Sequence, residues 1–487
     1  MKGVTETLAR FIVDTRFEDL PEKIIHEVKR NLLDTIGCAF AGLATDIGLE
    51  ALTLARTLGG NPESTVIGTG EKTSCALASY VNARMANALD ADETLPIPVH
   101  FGNAVMGASL SVGEREGGSG KELITAYAVA YELASRIAMG MRPPIFMKGK
   151  EIRSYPPLFT PAVFVVFAAL GAASKFLNLK KDRVQQAMGI AAAGCPVSVM
   201  GKWAESTVLP TLKYFDSGWC AQLGVTASLL ANFGTTAFDS ILDDPKHFWR
   251  DYGIDDCDFD GITRNLGREW HILDTTYKPW PGIRYTHYPL WLFLKIKEEN
   301  QLSPEDIRKV VIRMGPMGTT PRFTNQFPTG SITCQFNHPH AIAMGAFGIE
   351  PGPRWYSPLT MEDRRVIEFR KRVEVQYDPE LAKIDLPEGK LLWKLPTSIE
   401  IRTREKSFGA STEYTKGDPW TEETYFTDDE LKKKFLVFAS SAFCGSEEWH
   451  KRVNSIVEMV FNAEKLGRVT ELCDSLGPTP RAKSLKN

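Results

Sequence analysis

The chain has 487 residues, 57 basic against 60 acidic, and a formal net charge of −3. That near-balance excludes a bulk electrostatic drive towards nucleic acid or acidic membrane surfaces, so any attraction for an anion has to be local. The length allows two or three domains around a large core, and a composition 43% hydrophobic and 24% charged is that of a globular chain.

The N-terminus, MKGVTETLARFIVDTRFEDL, carries acids early and has no long apolar run, so no secretory signal is expected. After Pro21, a natural first-turn residue, Ile24, Ile25, Val28, Leu32, Leu33 and Ile36 recur at helical spacing. Ser119-Gly-Lys-Glu122 is a capping box, opening a helix with Leu123, Tyr127, Ala130, Leu133 and Ile137 on one stripe. Ala162 to Ser174 (AVFVVFAALGAAS) is too short to span a bilayer and reads as a buried helix. Helical patterns run on to about Phe233.

Beyond about residue 270 the character changes. Val310 to Met314 is a short β-rich run, and Arg372 to Tyr377 and Ser398 to Thr403 alternate strictly. Helical segments such as Met361 to Arg372 lie between them. Thr427-Asp-Asp-Glu430 is a second capping box, from which helices resume to about Leu476 before a loose tail. The expected fold is mainly α, a large all-helical domain built from 1–270 and 425–487 with an inserted smaller α+β lid domain over 271–424. The eight cysteines are scattered and form no CxxC pair, which points to reduced thiols and a cytoplasmic setting.

Ala88 to His100, ALDADETLPIPVH, gathers Asp90, Asp92, Glu93, Thr94 and His100, the group types that proton transfer uses. If the stretch is helical, Asp90 and Thr94 share a face, while Pro96 and Pro98 end the helix and return His100 over it. The bland alternative is a solvated acidic helix end. A rival is a divalent metal on Asp90, Asp92 and His100, which no second His- or Cys-rich motif supports.

Lys278 to His287, KPWPGIRYTH, is stiffened by prolines around Trp280 and fixes Lys278, Arg284 and His287. Arginine there can grip a carboxylate with two parallel hydrogen bonds, and the plain alternative is a basic domain edge. Lys213 stands before a strongly apolar run; it is either a paired buried cation or a lysine snorkelling at a helix end. His338 and His340, in NHPHAIAMG, read as packing or pocket wall.

Taken together, LLDTIGCAFAG (Leu32 to Gly42), ALDADET…VH, GSGKELITAYAVAYELASRI, KPWPGIRYTH and KGDP (Lys416 to Pro419) resemble the MmgE/PrpD family over nearly the whole chain. The resemblance implies a helical domain plus an α/β lid with the active site between them. It also implies a homodimer, a small-molecule carboxylate substrate, and no metal or organic cofactor. Motif by motif it assigns catalytic roles to Asp90, His100, Lys213 and Lys278, and substrate contacts to Thr94, Arg284 and His287, with Phe159 as a further substrate-binding position. Family decarboxylases and related members carry a histidine where this chain has Phe159, and the decarboxylase a tyrosine near Gly318, Thr319 and Thr320. Those departures argue against cis-aconitate decarboxylation and make the pocket around Phe159 less polar.

The chemistry the family shares is proton removal from, or delivery to, carbon beside a carboxylate. The leading expectation is a cofactor-independent hydro-lyase acting on a hydroxy di- or tricarboxylate. Return of the proton to the other face would make an epimerase or isomerase. A non-catalytic carboxylate-binding homologue is the third reading.

Overall fold

The computed structural model describes residues 3–97, 99–140, 145–148, 151–154, 162–196, 202–203, 206–213, 216–254, 257–381, 393–442 and 447–478. Phe159 and Pro98 lie outside them. The architecture is mainly helical with one small mixed sheet.

The N-terminal half is layered helices: α1 (Val4–Asp14), α2 (Glu22–Leu43), α3 (Asp46–Leu58), α4 (Cys75–Ala86), α5 (Gly102–Glu116), α6 (Gly120–Met139), α7 (Ala162–Phe176), α8 (Lys181–Gly194) and α9 (Ser217–Asn232). Helix α2 begins beside Pro21, as the first-turn proline predicts, and is buried almost all round from Val28 to Gly42. Helix α6 opens on the expected capping box: Ser119 N–H donates to Glu122 Oε2 at 2.7 Å and Glu122 N–H to Ser119 Oγ at 3.3 Å. Helices α6 and α9 flank α7, which is why its run of alanines, valines and phenylalanines can be apolar on every side.

The expected helical continuity is broken by two hairpins. A two-stranded hairpin, β3 (Ile145–Lys148) against β4 (Glu151–Ser154), interrupts α6 and α7. The sequence IFMK-GK-EIRS does carry the hairpin signal, two short strand-like runs around a glycine. The other hairpin, β1 (Ser64–Thr65) with β2 (Lys72–Thr73), is two residues a side.

After α10 (Arg284–Glu299) comes β5 (Lys309–Met314), then α11 (His338–Ala346) and α12 (Arg364–Arg370), then β6 (Val373–Tyr377), β7 (Thr397–Arg402) and β8 (Ser407–Thr412). The sheet order is β6-β5-β7-β8. The β5–β6 pair is parallel, with Val310 opposite Val373, and the helical crossover between them is what parallel pairing needs. The other two pairs are antiparallel, with Ile312 opposite Ile399 and Ile399 opposite Ala410. Helix α10 packs on β7 and β8 and α11 on β6, so one helical layer covers the sheet. The expected helix over 361–372 is real but shorter, because Asp363 caps α12 through Arg365 N–H.

The chain then returns. Helix α13 (Asp428–Ala442) packs along α2, opened by the second capping box, where Thr427 N–H donates to Glu430 Oε2 at 2.8 Å. Helix α14 (Glu447–Phe461) follows and also meets α2. The two crossings between the parts touch: Tyr277 N–H donates to Gly417 O at 3.0 Å. Gly417 has φ +106°, and a Cβ there would stand 1.9 Å from Tyr277 O, so only glycine fits. No single helix among the described residues is long and apolar enough to cross a membrane.

Candidate active site

The stretch after α4 is not helical. Asn87 turns its side-chain amide away to the Asp92 carboxylate, donating at 3.0 and 3.1 Å, a local bond that competes with helix propagation. Asp90 follows with φ +52°, a left-handed conformation that costs a non-glycine residue on the order of 1 kcal/mol. So Asp90 and Thr94 do not share a helical face. They converge because Thr94 pairs with Thr276: Thr94 N–H donates to Thr276 O at 3.0 Å and Thr276 N–H to Thr94 O at 2.9 Å. That register carries Lys278, two residues on, to Asp90.

Asp90 is the hub. Lys278 Nζ donates to its Oδ1 at 2.5 Å and to its carbonyl at 2.8 Å. Lys213 Nζ lies 3.3 Å from Oδ2, and His100 Nε2 3.3 Å from Oδ1. All four residues are buried. Lys213 therefore does not snorkel; it sits inside the protein before α9 and also donates to Asn87 O at 3.3 Å. Burial alone would push the Asp90 carboxyl up, but the Lys213 and Lys278 ammonium groups outweigh it and hold it well below the usual range. Burial pushes the Lys213 ammonium down.

His100 Nδ1 lies 2.7 Å from Glu93 O. A carbonyl only accepts, so Nδ1 carries the proton, and the neutral ring presents its Nε2 lone pair towards Asp90. Burial pushes this imidazole down to about 4, with the neighbouring Asp92 acting against that and Lys278 adding to it. Asp92 is itself fixed by Asn87 and by Asn103 Nδ2 at 2.8 Å.

Asp90, Thr94, Leu95, Pro96, His100, Lys278, Ile283, Arg284, Tyr285 and Leu395 line a small, partly open cleft of about 40 Å³, with Leu395 coming from the approach to β7. The helical part and the α+β part thus both contribute walls. Arg284 reaches the cleft, yet its Nε and Nη2 grip Asp418 Oδ1 at 3.0 and 2.8 Å. The carboxylate that arginine holds here belongs to the chain itself. Gly282 has φ +105°, and a Cβ would stand 2.8 Å from both Gln335 O and Tyr356 Oη, which pins the turn into α10. His287 is buried, 5.4 Å edge-on to Trp280, and neither ring nitrogen has a hydrogen-bond partner among the described residues. Burial holds its imidazole well below the usual value, and Lys278 and Lys434 act the same way.

Ligand atoms of Asp90, Asp92 and His100 lie within 4.8 Å of one another, the spacing a divalent ion needs. The surroundings do not suit one. Asp90 already meets two ammonium groups and Asp92 two amide N–H donors, and a dication would have to displace the lysines. His338 and His340 lie elsewhere, donating Nε2–H to Gly318 O at 3.0 Å and to Trp355 O at 2.8 Å, as packing residues.

The MmgE/PrpD N-terminal domain matches residues 6–257 and the MmgE/PrpD C-terminal domain residues 280–458. The chain belongs to the MmgE/PrpD family. Among its MmgE/PrpD relatives is a cis-aconitate decarboxylase from Homo sapiens, 25% identical over 99% of this chain and 96% of the relative. The protein of that name from Mus musculus is 24% identical over 100% and 96%, and one from Aspergillus terreus 21% identical over 97% and 96%.

Sequence reasoning gave no role to Asp418, Asp34 or Lys434, and named Glu93 only as one of the acids in the ALDADET stretch. Glu93 accepts from Gly102 N–H and from Tyr131 Oη, the latter at 3.1 Å. Burial pushes its carboxyl up to about 8 from 4.5. Between those values the folded state holds a proton that the unfolded chain releases, so this group's contribution to stability falls as pH rises through the window. Glu93→Gln keeps the acceptor and has no proton to lose. Thermal melts from pH about 6 to about 9 are expected to be flatter for the variant than for the wild type. Parallel slopes would mean that Glu93 is already ionised in the fold.

Proposed function

We propose that this MmgE/PrpD protein is a cofactor-independent lyase that eliminates water from a hydroxy di- or tricarboxylate. The observation that carries the reading is the neutral, Nδ1-protonated His100, its Nε2 facing a buried carboxylate held between two ammonium groups. Asp90, kept ionised by its lysines, is too weak a base; His100 Nε2 is the stronger one. It takes the proton from carbon beside a substrate carboxylate. The imidazolium so formed meets Asp90 at 3.3 Å. Negative charge gathering on the substrate carboxylate is met by Lys213 and Lys278, already in place before reaction. The C–O bond then breaks, and an ammonium proton from Lys278 leaves with the hydroxyl as water. The alkene remains, and solvent returns the proton from His100 to Lys278.

Thr94 and His287 are assigned to orient the substrate, Thr94 because it lines the cleft and His287 because its nitrogens are unclaimed. Arg284 acts through its tie to Asp418, fixing the start of α10. The division into 1–270, 271–424 and 425–487, the middle part as a lid, belongs to the same reading, as do a homodimeric assembly and a cytoplasmic setting; Leu395 on the cleft wall supports the lid.

A second reading rests on one observation. His100 and Lys278 both reach Asp90 Oδ1 but come from different segments. Proton return from Lys278 to the opposite face would give an epimerase instead.

The test is to incubate the EDTA-treated protein with hydroxy di- and tricarboxylates and with cis-aconitate, following alkene absorbance, chirality and carbon dioxide. Alkene formation supports the lyase. Inversion without alkene supports the epimerase, and carbon dioxide from cis-aconitate the activity its relatives are named for. Binding with no reaction leaves a carboxylate-binding homologue.

A further inference from the structure

We infer that Lys434 and Asp34, neither of which lines the cleft, are a positioning pair that holds the acid–base stretch in its working shape; the inference rests on the site reading above. Lys434 Nζ donates to Asp34 Oδ1 at 2.6 Å and, past it, to Ala91 O at 2.6 Å. Lys278 Nζ donates to Asp90 O at 2.8 Å. Two consecutive carbonyls of the stretch are therefore each held by a buried ammonium group, one from the segment before α10 and one from α13. Between them Asp90 keeps its left-handed conformation, which a non-glycine residue adopts only where its surroundings enforce it.

The placement of Lys434 is otherwise hard to explain. Leu431, Lys434, Phe435 and Phe438 form the stripe of α13 that faces the core, and Lys434 is the one charged member. Buried ion pairs can often be replaced by apolar residues without loss of stability, so tying α2 to α13 does not by itself require this lysine. What an apolar residue cannot supply is the donor to Ala91 O. Among the described residues Asp34 Oδ2 has no hydrogen-bond partner, and Oδ1 serves Lys434. Asp34 steers the ammonium, and the ammonium sets where Asp90, Asp92 and the carbonyl of Glu93, which fixes the His100 ring, come to lie.

The test uses the full chain carrying Asp34→Asn and Lys434→Met together, which leaves no unpaired charge buried. Hydrogen–deuterium exchange of peptides over 87–94 is expected to speed up at least about tenfold while α2 and α13 stay protected. With a turned-over carboxylate, kcat is expected to fall about 100-fold and KM to move less than about threefold, the signature of misplaced reacting groups. Asp34→Asn alone leaves Lys434 its bond to Ala91 O but removes the charge that steers it, and is expected to speed exchange over 87–94 by clearly less than the double variant. An unchanged exchange rate over 87–94 in the folded double variant overturns the inference, and so does equal loosening by Asp34→Asn. Exchange needs no substrate, so a wild-type protein inert towards every carboxylate would sink the site reading and still leave the positioning pair decided.

Discussion

Lys278→Met is expected to abolish turnover, leaving no more than about a thousandth of the wild-type rate. Lys278 has the largest share of the candidate site: it bonds Asp90 through both side chain and main chain, and it supplies the proton for the leaving group in the proposed elimination. Without it, Asp90 keeps Lys213 as a direct ammonium partner, with His100 and the Asp92 carboxylate beside it. Removing one partner of a buried pair also costs about 3–5 kcal/mol of stability, so the loss has to be read per folded molecule, with circular dichroism as the control. Lys278→Arg separates charge from proton delivery. It keeps a cation near Asp90, but a guanidinium is far too weak an acid, so binding is expected to survive better than turnover. A Lys278→Met enzyme within about tenfold of wild type would remove Lys278 from the chemistry.

His100→Asn is the second large effect, again about a thousandfold in kcat. Asparagine can place its amide where Nδ1–H meets Glu93 O and so keep the local fold, but it offers no base at the Nε2 position. Two pH signatures go with it. In the wild type the base is lost as pH falls through about 4, which sets the acid limb of kcat/KM. The second concerns stability. Because the folded value lies below the ordinary 6.5, the unfolded chain binds this proton more readily, and stability drains as pH falls from about 6.5 towards 4. A depression of that size is worth on the order of 3 kcal/mol, and the asparagine variant should be spared it. A variant that loses stability in acid as steeply as the wild type would contradict a neutral, buried His100.

Much of the fold was legible because the signals were local. Both capping boxes are where SxxE and TxxE stand, and the three strands, one read from a β-rich run and two from alternation, sit at β5, β6 and β7 to within a residue or so. The missed strands had weaker marks: β8 is SFGAST, an edge strand with glycine and alanine at its centre, and β3–β4 lies in a region of helical pattern. In the candidate site the residue types were readable but the geometry was not. Helical spacing suggested one face for Asp90 and Thr94, whereas a side-chain bond from Asn87 ends α4 early and a pairing with Thr276 does the assembling. Lys213 is 123 residues beyond Asp90 and Lys278 a further 65, so no window on the sequence could have put two ammonium groups around one carboxylate. Lys434 did leave a trace, a lysine at a core position of a helical stripe; it was passed over because it sits in a run of three lysines.

The most direct test of the account is deuterium wash-in. The wild-type protein and His100→Asn would each be incubated in deuterated water with the carboxylate that the wild type turns over best, and the hydrogen on carbon beside the carboxylate followed by NMR. The wild type is expected to release that hydrogen to solvent at the rate of product formation or faster, and the variant to leave it on carbon. Equal loss of the hydrogen in both proteins, or product formed by the wild type with that hydrogen never leaving carbon, would overturn the assignment of His100 as the base.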